Sequence, residues 1–279
     1  MYLGKETYHC RLRLGEFLRS MSLSRIFVVA TNVYKEVIRD RVLYLMGLYA
    51  LLMFAAAALL PSVAANAQDK IILDLGMAGI HLLGLVVTVF VGTGLINKEI
   101  EKKTVLVLIS KPISRLEFIW GKHFGLSAVL AVLLACLTVI YFAVLVLNQI
   151  EFTAVSLLLA IFYTFIELML LTAAALLFGV FTSSLLATLL TIGVYLMGHL
   201  SQDIVALGKL TESPLFQRVT SAMYLVLPDL ERLNFRNEAV YGMTLFPSPP
   251  ELLSHLLYGL LYTALLLTIA VFIFARRQF

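Results

Sequence analysis

Six long apolar runs, at about 42–60, 75–96, 124–147, 154–178, 185–206 and 254–275, leave this chain few folds to choose from. Each is long enough to cross about 30 Å of hydrocarbon at about 1.5 Å per helical residue. The composition agrees: 61% of the 279 residues are hydrophobic and 14% charged, against roughly 45–50% and about 25% in soluble domains. A water-soluble core could not hide that much apolar surface. The expected fold is all-α, a polytopic membrane protein with about six transmembrane helices. The joint between the fourth and fifth runs, Phe178-Gly179-Val180-Phe181-Thr182-Ser183-Ser184, carries no charge and is the least marked boundary.

Charge sets the orientation. Residues 1–41, the loop 97–123 and the tail hold 16 of the 21 Lys and Arg residues against seven acids, a net of +9. The opposite side carries Lys70, Lys209, Arg218, Arg232 and Arg236 against nine acids, a net of −4. Basic residues are retained in the cytoplasm, so both termini and loop 97–123 are expected there, in a multi-pass protein of the cell membrane. A pI near 9 therefore reflects membrane orientation, and no nucleic-acid partner is expected.

Residues 1–21 read as an N-terminal extension without the apolar core of a cleavable leader, ahead of a native-looking start at Met21-Ser22-Leu23. Over residues 22–41, Ile26, Val29, Val33 and Val37 recur at helical spacing opposite Lys35, Glu36, Arg39 and Asp40. That pattern predicts an amphipathic helix lying in the membrane interface. The six-span domain then occupies 42–279, with an outer loop over 207–252 in which residues 222–235 mix apolar and charged residues as a short surface helix would. Ser248 and Glu251 bracket Pro249-Pro250 as a capping box for the last span.

Loop 97–123 is the most strongly punctuated segment. A charged helix turns apolar over residues 105–109, too short to span, and Pro112 stops it. Ser114 and Glu117 open a second helix with another capping box. An exposed apolar run such as Val105–Ile109 needs a cover, either lipid or a partner protein. The order Glu99-x-Glu101-x-x-Thr104, then Leu108, then Lys111-Pro112-Ile113-Ser114-Arg115, then Gly121-Lys122 resembles the signature loop of ABC type-2 permeases. More narrowly it is similar to the branch that includes the permease of the copper-maturation (nitrous oxide reductase) cluster. Leu227-Pro228-Asp229-Leu230-Glu231-Arg232-Leu233-Asn234-Phe235 resembles the outer segment before the last span in that branch.

The resemblance implies a transport subunit rather than an enzyme, most often an exporter. Its first cytoplasmic loop would form a coupling helix that docks on a separate ABC ATP-binding subunit. Glu99, Glu101, Lys102, Thr104, Leu108, Lys111 and Arg115 would then form the interface, with Pro112 fixing the turn. No G-x-x-x-x-G-K-[ST] loop occurs in the chain, so this chain is expected to hold no cofactor, ATP and Mg being bound by the partner. A second permease copy, or a similar permease, would complete the path through the bilayer.

Intramembrane ionisable groups are the other candidates. Glu167 falls mid-span in the fourth run and is costly as a bare carboxylate, so it is expected to be protonated, paired or facing an aqueous cavity. His81 lies toward the outer end of the second run, and His199 sits in the fifth, ahead of Gln202 and Asp203. Two readings stand: an inter-helix hydrogen bond for Glu167 with interfacial histidines, or a substrate path or proton relay through Glu167 and His199. The His and Cys residues, Cys10 and Cys136 included, are scattered, and no metal site, disulfide or catalytic set is expected from their spacing. Gly84, Gly92 and Gly94 mark the second span as a close-packing helix. Two alternatives to an ATP-driven permease remain: an ATP-independent proton-coupled carrier using Glu167, and a membrane scaffold or assembly protein.

Overall fold

A computed structural model describes residues 23–38, 43–63, 67–101, 114–210 and 227–276, with isolated positions between 215 and 224. Among these residues the protein is helical throughout, with no strand. The elements are α1 (Leu23–Val37), α2 (Leu43–Val63), α3 (Gln68–Glu101), α4 (Arg115–Leu147), α5 (Ala154–Phe181), α6 (Ser184–Leu210), α7 (Arg236–Tyr241) and α8 (Pro249–Arg276). Single 3₁₀ turns flank α7, at Glu231–Leu233 and Met243–Leu245. Five helices, α3, α4, α5, α6 and α8, are long and apolar enough to cross a membrane, and α2 carries a shorter apolar stretch, Tyr44–Leu60. Helices α3 and α4, at 34 and 33 residues, are each about 50 Å long.

The α4 helix packs against α1, α2, α3, α5 and α8. Leu126, Leu130, Leu133, Leu137, Tyr141 and Val144, spaced three or four apart, are fully buried, because residues at that spacing share one helix face. Its start is fixed as the sequence predicts. The backbone N–H of Ser114 donates to Glu117 Oε2 at 2.7 Å and the Glu117 N–H donates to Ser114 Oγ at 3.2 Å, a complete capping box. At α8 the corresponding bond from Ser248 N–H to Glu251 Oε2 is present at 3.0 Å.

The turn between α5 and α6 is Thr182-Ser183, so the uncharged joint is a tight hairpin. Glycines of α3 bring α5 close, as the sequence suggests. A Cβ at Gly84 would stand 2.4 Å from Leu168 Cδ1, and one at Gly92 3.1 Å from the Ala175 Cβ. Small residues at such crossings let backbones approach and gain dispersion contact where lipid offers no hydrophobic drive.

Two features go beyond what the sequence indicates. The stripe Ile26, Val29, Val33 and Val37 of α1 is buried against protein: α1 lies along α4, at the end of the bundle that carries the 102–113 loop. Gly121 and Gly125 make this possible, since Cβ atoms there would meet Val29 and Val33 at 2.7 Å. Outward, α1 exposes Leu23, Phe27 and Val28 beside Ser24, Arg25, Asn32, Lys35 and Glu36, so its outer side mixes apolar and polar residues. The outer segment is the second. The described positions Ala222 and Tyr224 are helical, whereas residues 228–235 run inward and turn once, with Leu230 and Leu233 fully buried. The Leu230 N–H donates to Gly198 O at 3.1 Å. A Cβ at Gly198 would lie 2.7 Å from Leu230 Cγ and 2.9 Å from Pro228 O, which is why only glycine admits the segment. A backbone donor spent on α6 is lost to a helix of the segment's own.

Candidate functional site

Under this inserted segment the bundle holds its most concentrated set of buried ionisable groups. His81 lies thirteen residues into α3 and Glu167 thirteen into α5, about 20 Å from those helix ends. His199 projects from α6 to the same point. His81 Nε2 is 3.0 Å and His199 Nε2 2.9 Å from Glu167 Oε1. The Glu167 side chain is fully buried, and those of His81 and His199 are 3% and 16% exposed. Glu167 Oε2 makes no hydrogen bond among the described residues.

The cluster continues outward. His199 Nδ1 lies 3.0 Å from Glu231 Oε2 on the inserted 3₁₀ turn. Asn234 Nδ2 donates to both Glu231 oxygens at 3.2 and 3.1 Å, and Asn234 Oδ1 accepts from Arg236 Nε at 2.8 Å. The hydrogen bond from His199 holds the Glu231 carboxyl below the usual range, with Asn234 and the charges of His199 and Arg236 acting the same way against partial burial. Tyr195, one turn before His199, packs its ring 4.8 Å from His199 and 5.7 Å from His81. Both ring nitrogens of His199 thus face carboxylates, and its orientation is fixed at both ends.

A second polar knot secures the inserted segment. Asp229 is buried and accepts from Gln202 Nε2 at 3.2 and 3.1 Å, Tyr224 OH at 3.1 Å and Arg232 Nε at 3.0 Å. Its own N–H donates to Tyr258 OH at 2.8 Å. Hydrogen bonds to Tyr224 and Asp229 raise the Arg232 guanidinium pKa above its ordinary value. Every charge brought inward here has a partner, as a buried ion requires.

Both histidines are turned into the bundle. The sequence places His81 near a span end because its apolar run begins at about residue 75, whereas α3 begins seven residues earlier, at Gln68. Glu167 does make an inter-helix contact, and it makes two. Sequence reasoning singles out Glu167 and His199, names His81, and reads Glu231 only as part of the outer motif. Nothing in their separations, 86 residues from His81 to Glu167 and 32 from there to His199, signals that they meet.

Along the chain, the ABC-2 family transporter protein family matches residues 44–279. The chain belongs to the ABC-2 transporter family. It is thus a membrane permease of an ABC transporter, a transport subunit and not itself catalytic. The match reaches the family and does not extend to the copper-maturation branch. No curated protein matches the sequence.

Of the loop residues that the permease signature singles out, Lys102, Thr104, Leu108, Lys111 and Pro112 lie outside the described residues, as does the run Val105–Ile109. Glu99 and Glu101 are in the last turn of α3. Arg115, the first residue of α4, donates through one guanidinium nitrogen to Phe274 O, at 3.1 Å, and to Ala275 O. Those carbonyls end α8, where unpaired acceptors and the helix dipole favour a cation. Arg115 therefore ties the base of α4 to the end of α8, next to the stacked rings of Phe118 and Phe274, 5.6 Å apart.

Proposed function

We propose that this permease is the membrane-spanning half of an ATP-driven exporter, coupled to a separate ATP-binding subunit through loop 97–123, with both termini and that loop in the cytoplasm. The observation that carries the reading is the pair α3 and α4, which frame the loop and exceed the hydrocarbon thickness by about 20 Å each. Placed with the basic loop inside, they would stand out of the membrane as a stiff stalk. The stalk is braced on two sides: α1 seats on Gly121 and Gly125, and Arg115 holds the end of α8. A push at the loop is then delivered to the buried core of α4 instead of being absorbed by a flexible connector.

Glu99, Glu101, Lys102, Thr104, Leu108, Lys111 and Arg115 form the proposed docking face, Pro112 sets its turn, and ATP with Mg stays in the partner. A second copy of the chain, or a similar permease, completes the path. The outward leucines of α2, α6 and α8, such as Leu51, Leu189 and Leu261, suit lipid or that second copy. Co-purification after gentle solubilisation tests this: an ATP-binding subunit should accompany the tagged chain. Glu99→Lys and Lys102→Glu should each lower the ATPase activity recovered with the complex. Assembly and activity unchanged in both would refute the docking face.

One observation favours a second reading, a proton-coupled carrier. Glu167 lies within hydrogen-bond distance of two histidines. That reading requires transport to persist without ATP and to vanish in Glu167→Gln.

A further inference from the structure

We propose that His81, Glu167 and His199 bind one divalent transition-metal ion of the zinc type within the bundle, with Glu231 as the outer partner of His199. Their ligand atoms, two imidazole Nε2 and a carboxylate oxygen, come from three different helices and all lie within 4.8 Å of one another. Zinc bonds of 2.0–2.2 Å to nitrogen and oxygen place tetrahedral ligand atoms about 3.3 Å apart. Two of the three separations here are 3.0 and 2.9 Å, so they open by only a few tenths of an ångström. The third closes by about 1.5 Å at most, within reach of imidazole rotation.

The protons argue the same way. With Glu167 ionised and hydrogen bonds alone, both Nε2 atoms carry protons directed at the single Oε1, while the buried Oε2 makes no hydrogen bond among the described residues. His199 must then also carry a proton on Nδ1, or Glu231 must take one, because Glu231 Oε2 is 3.0 Å away. A metal ion replaces both Nε2 protons. It leaves two neutral imidazoles with lone pairs inward and gives the second carboxylate oxygen a partner. His199 keeps its Nδ1–H for Glu231, the carboxylate–histidine–metal arrangement that fixes tautomer and ring orientation. Glu231 is in turn held by Asn234.

Two imidazoles and one carboxylate suit zinc, and also copper, cobalt or nickel, better than magnesium or calcium, which prefer all-oxygen shells. Three protein ligands leave a fourth position for water or for the second oxygen of Glu167. The ion would clasp α3, α5 and α6 together and, through Glu231, the inserted outer segment. This assignment is independent of the coupling to an ATP-binding subunit, because it concerns the permease alone.

The full chain, purified in detergent with a tag free of histidine and stripped with chelator, tests it directly. Added Co²⁺ should give a chelator-reversible visible band typical of four- or five-coordinate nitrogen and oxygen ligation. Zn²⁺ should displace it, retain one equivalent per chain after dialysis and raise the melting temperature. Glu167→Gln, His81→Asn and His199→Asn should each weaken Zn²⁺ binding at least tenfold. His255→Asn, outside the cluster, should bind as the parent does. A parent chain that shows no stoichiometric Co²⁺ band overturns the proposal, whatever the variants do. So does binding that survives Glu167→Gln together with both histidine substitutions.

Discussion

Gly125→Ala should unseat α1 from the base of α4. The new methyl carbon would stand 2.7 Å from Ala30 O and 2.7 Å from Val33 Cβ. Carbon contacts are most favourable at about 3.5–4.0 Å, so the helices must part by roughly 0.7 Å. One obstruction is a backbone carbonyl and cannot rotate away. A gap of about 0.5–1 Å forfeits a quarter to a half of each dispersion contact across it, here the contacts of Ile26, Val29, Val33 and Val37. Overpacking of this kind costs about 1–3 kcal/mol. Taking 2 kcal/mol, the melting temperature should fall by roughly 4–8 °C on the scale of domains of about 150–250 residues. Gly193→Ala is the control: no atom lies within 4 Å of its Cβ position, and alanine in a helix interior gains about 0.5–1 kcal/mol over glycine. Thermal unfolding of the purified permease, read by loss of the monodisperse chromatographic peak, decides. If Gly125→Ala melts with the parent, or if Gly193→Ala melts lower than Gly125→Ala, the packing account of this helix is wrong.

Three further outcomes follow from the contacts. Arg115→Ala should free the end of α8 and expose it to a carboxypeptidase, at a cost of about 1–2 kcal/mol; equal digestion of variant and parent would leave Arg115 with a docking role alone. Asp229→Ala removes the acceptor shared by Gln202, Tyr224 and Arg232 and should destabilise by about 1.5–3 kcal/mol, opening the 228–235 segment to limited proteolysis. Protease resistance unchanged there would show that Leu230 and Leu233 hold the segment without it. Gly198→Val should produce the same opening from the α6 side, because its wall is Leu230 and the Pro228 carbonyl. Leu230→Ala in that background should recover part of the loss by making room, and absence of any recovery would contradict the contact.

What the sequence disclosed and what it withheld divide along physical lines. Helices announce themselves locally: an apolar run of 20 residues, Ser114 three before Glu117, or a glycine where another helix must approach. The six runs, both N-terminal capping residues and the role of Gly84 and Gly92 were therefore legible. So was the family, because the order of loop residues from Glu99 to Lys122 is itself local. The cluster was not, because it is assembled by helix packing, and no rule of spacing joins His81, Glu167, His199 and Glu231. The α1 stripe was legible as a stripe. Its neighbour was not, since Ile26, Val29, Val33 and Val37 would read alike against lipid or against α4. The inserted segment misled for a related reason: Leu230 and Leu233 with Glu231 and Arg232 between them look amphipathic, while a hydrogen bond to Gly198 O decides that the segment goes inward.

The position of the cluster bears on how a push at the loop would spread. One face of α4 is buried along its length, so a displacement at Arg115 would reach α5 and α8 through packed side chains, since close-packed interiors transmit strain instead of absorbing it. α3 would carry the same displacement along a second line, past Gly92 and Gly84, to His81. There it meets α5 at Glu167 and α6 at His199, and through Glu231 the inserted outer segment, whose Leu230 is itself bonded to α6. Packed helices thus run from the start of α4 and the end of α3 to the 228–235 segment, and among the described residues the cluster is where α3, α5 and α6 are joined by polar groups about a single atom. A bound metal would stiffen that joint, and replacing Glu167 with glutamine would weaken it. If the joint carries the motion, Glu167→Gln should leave docking and basal ATP hydrolysis of the complex intact while loosening the 228–235 segment to protease. If it does not, the segment should respond to Asp229→Ala and remain indifferent to Glu167→Gln.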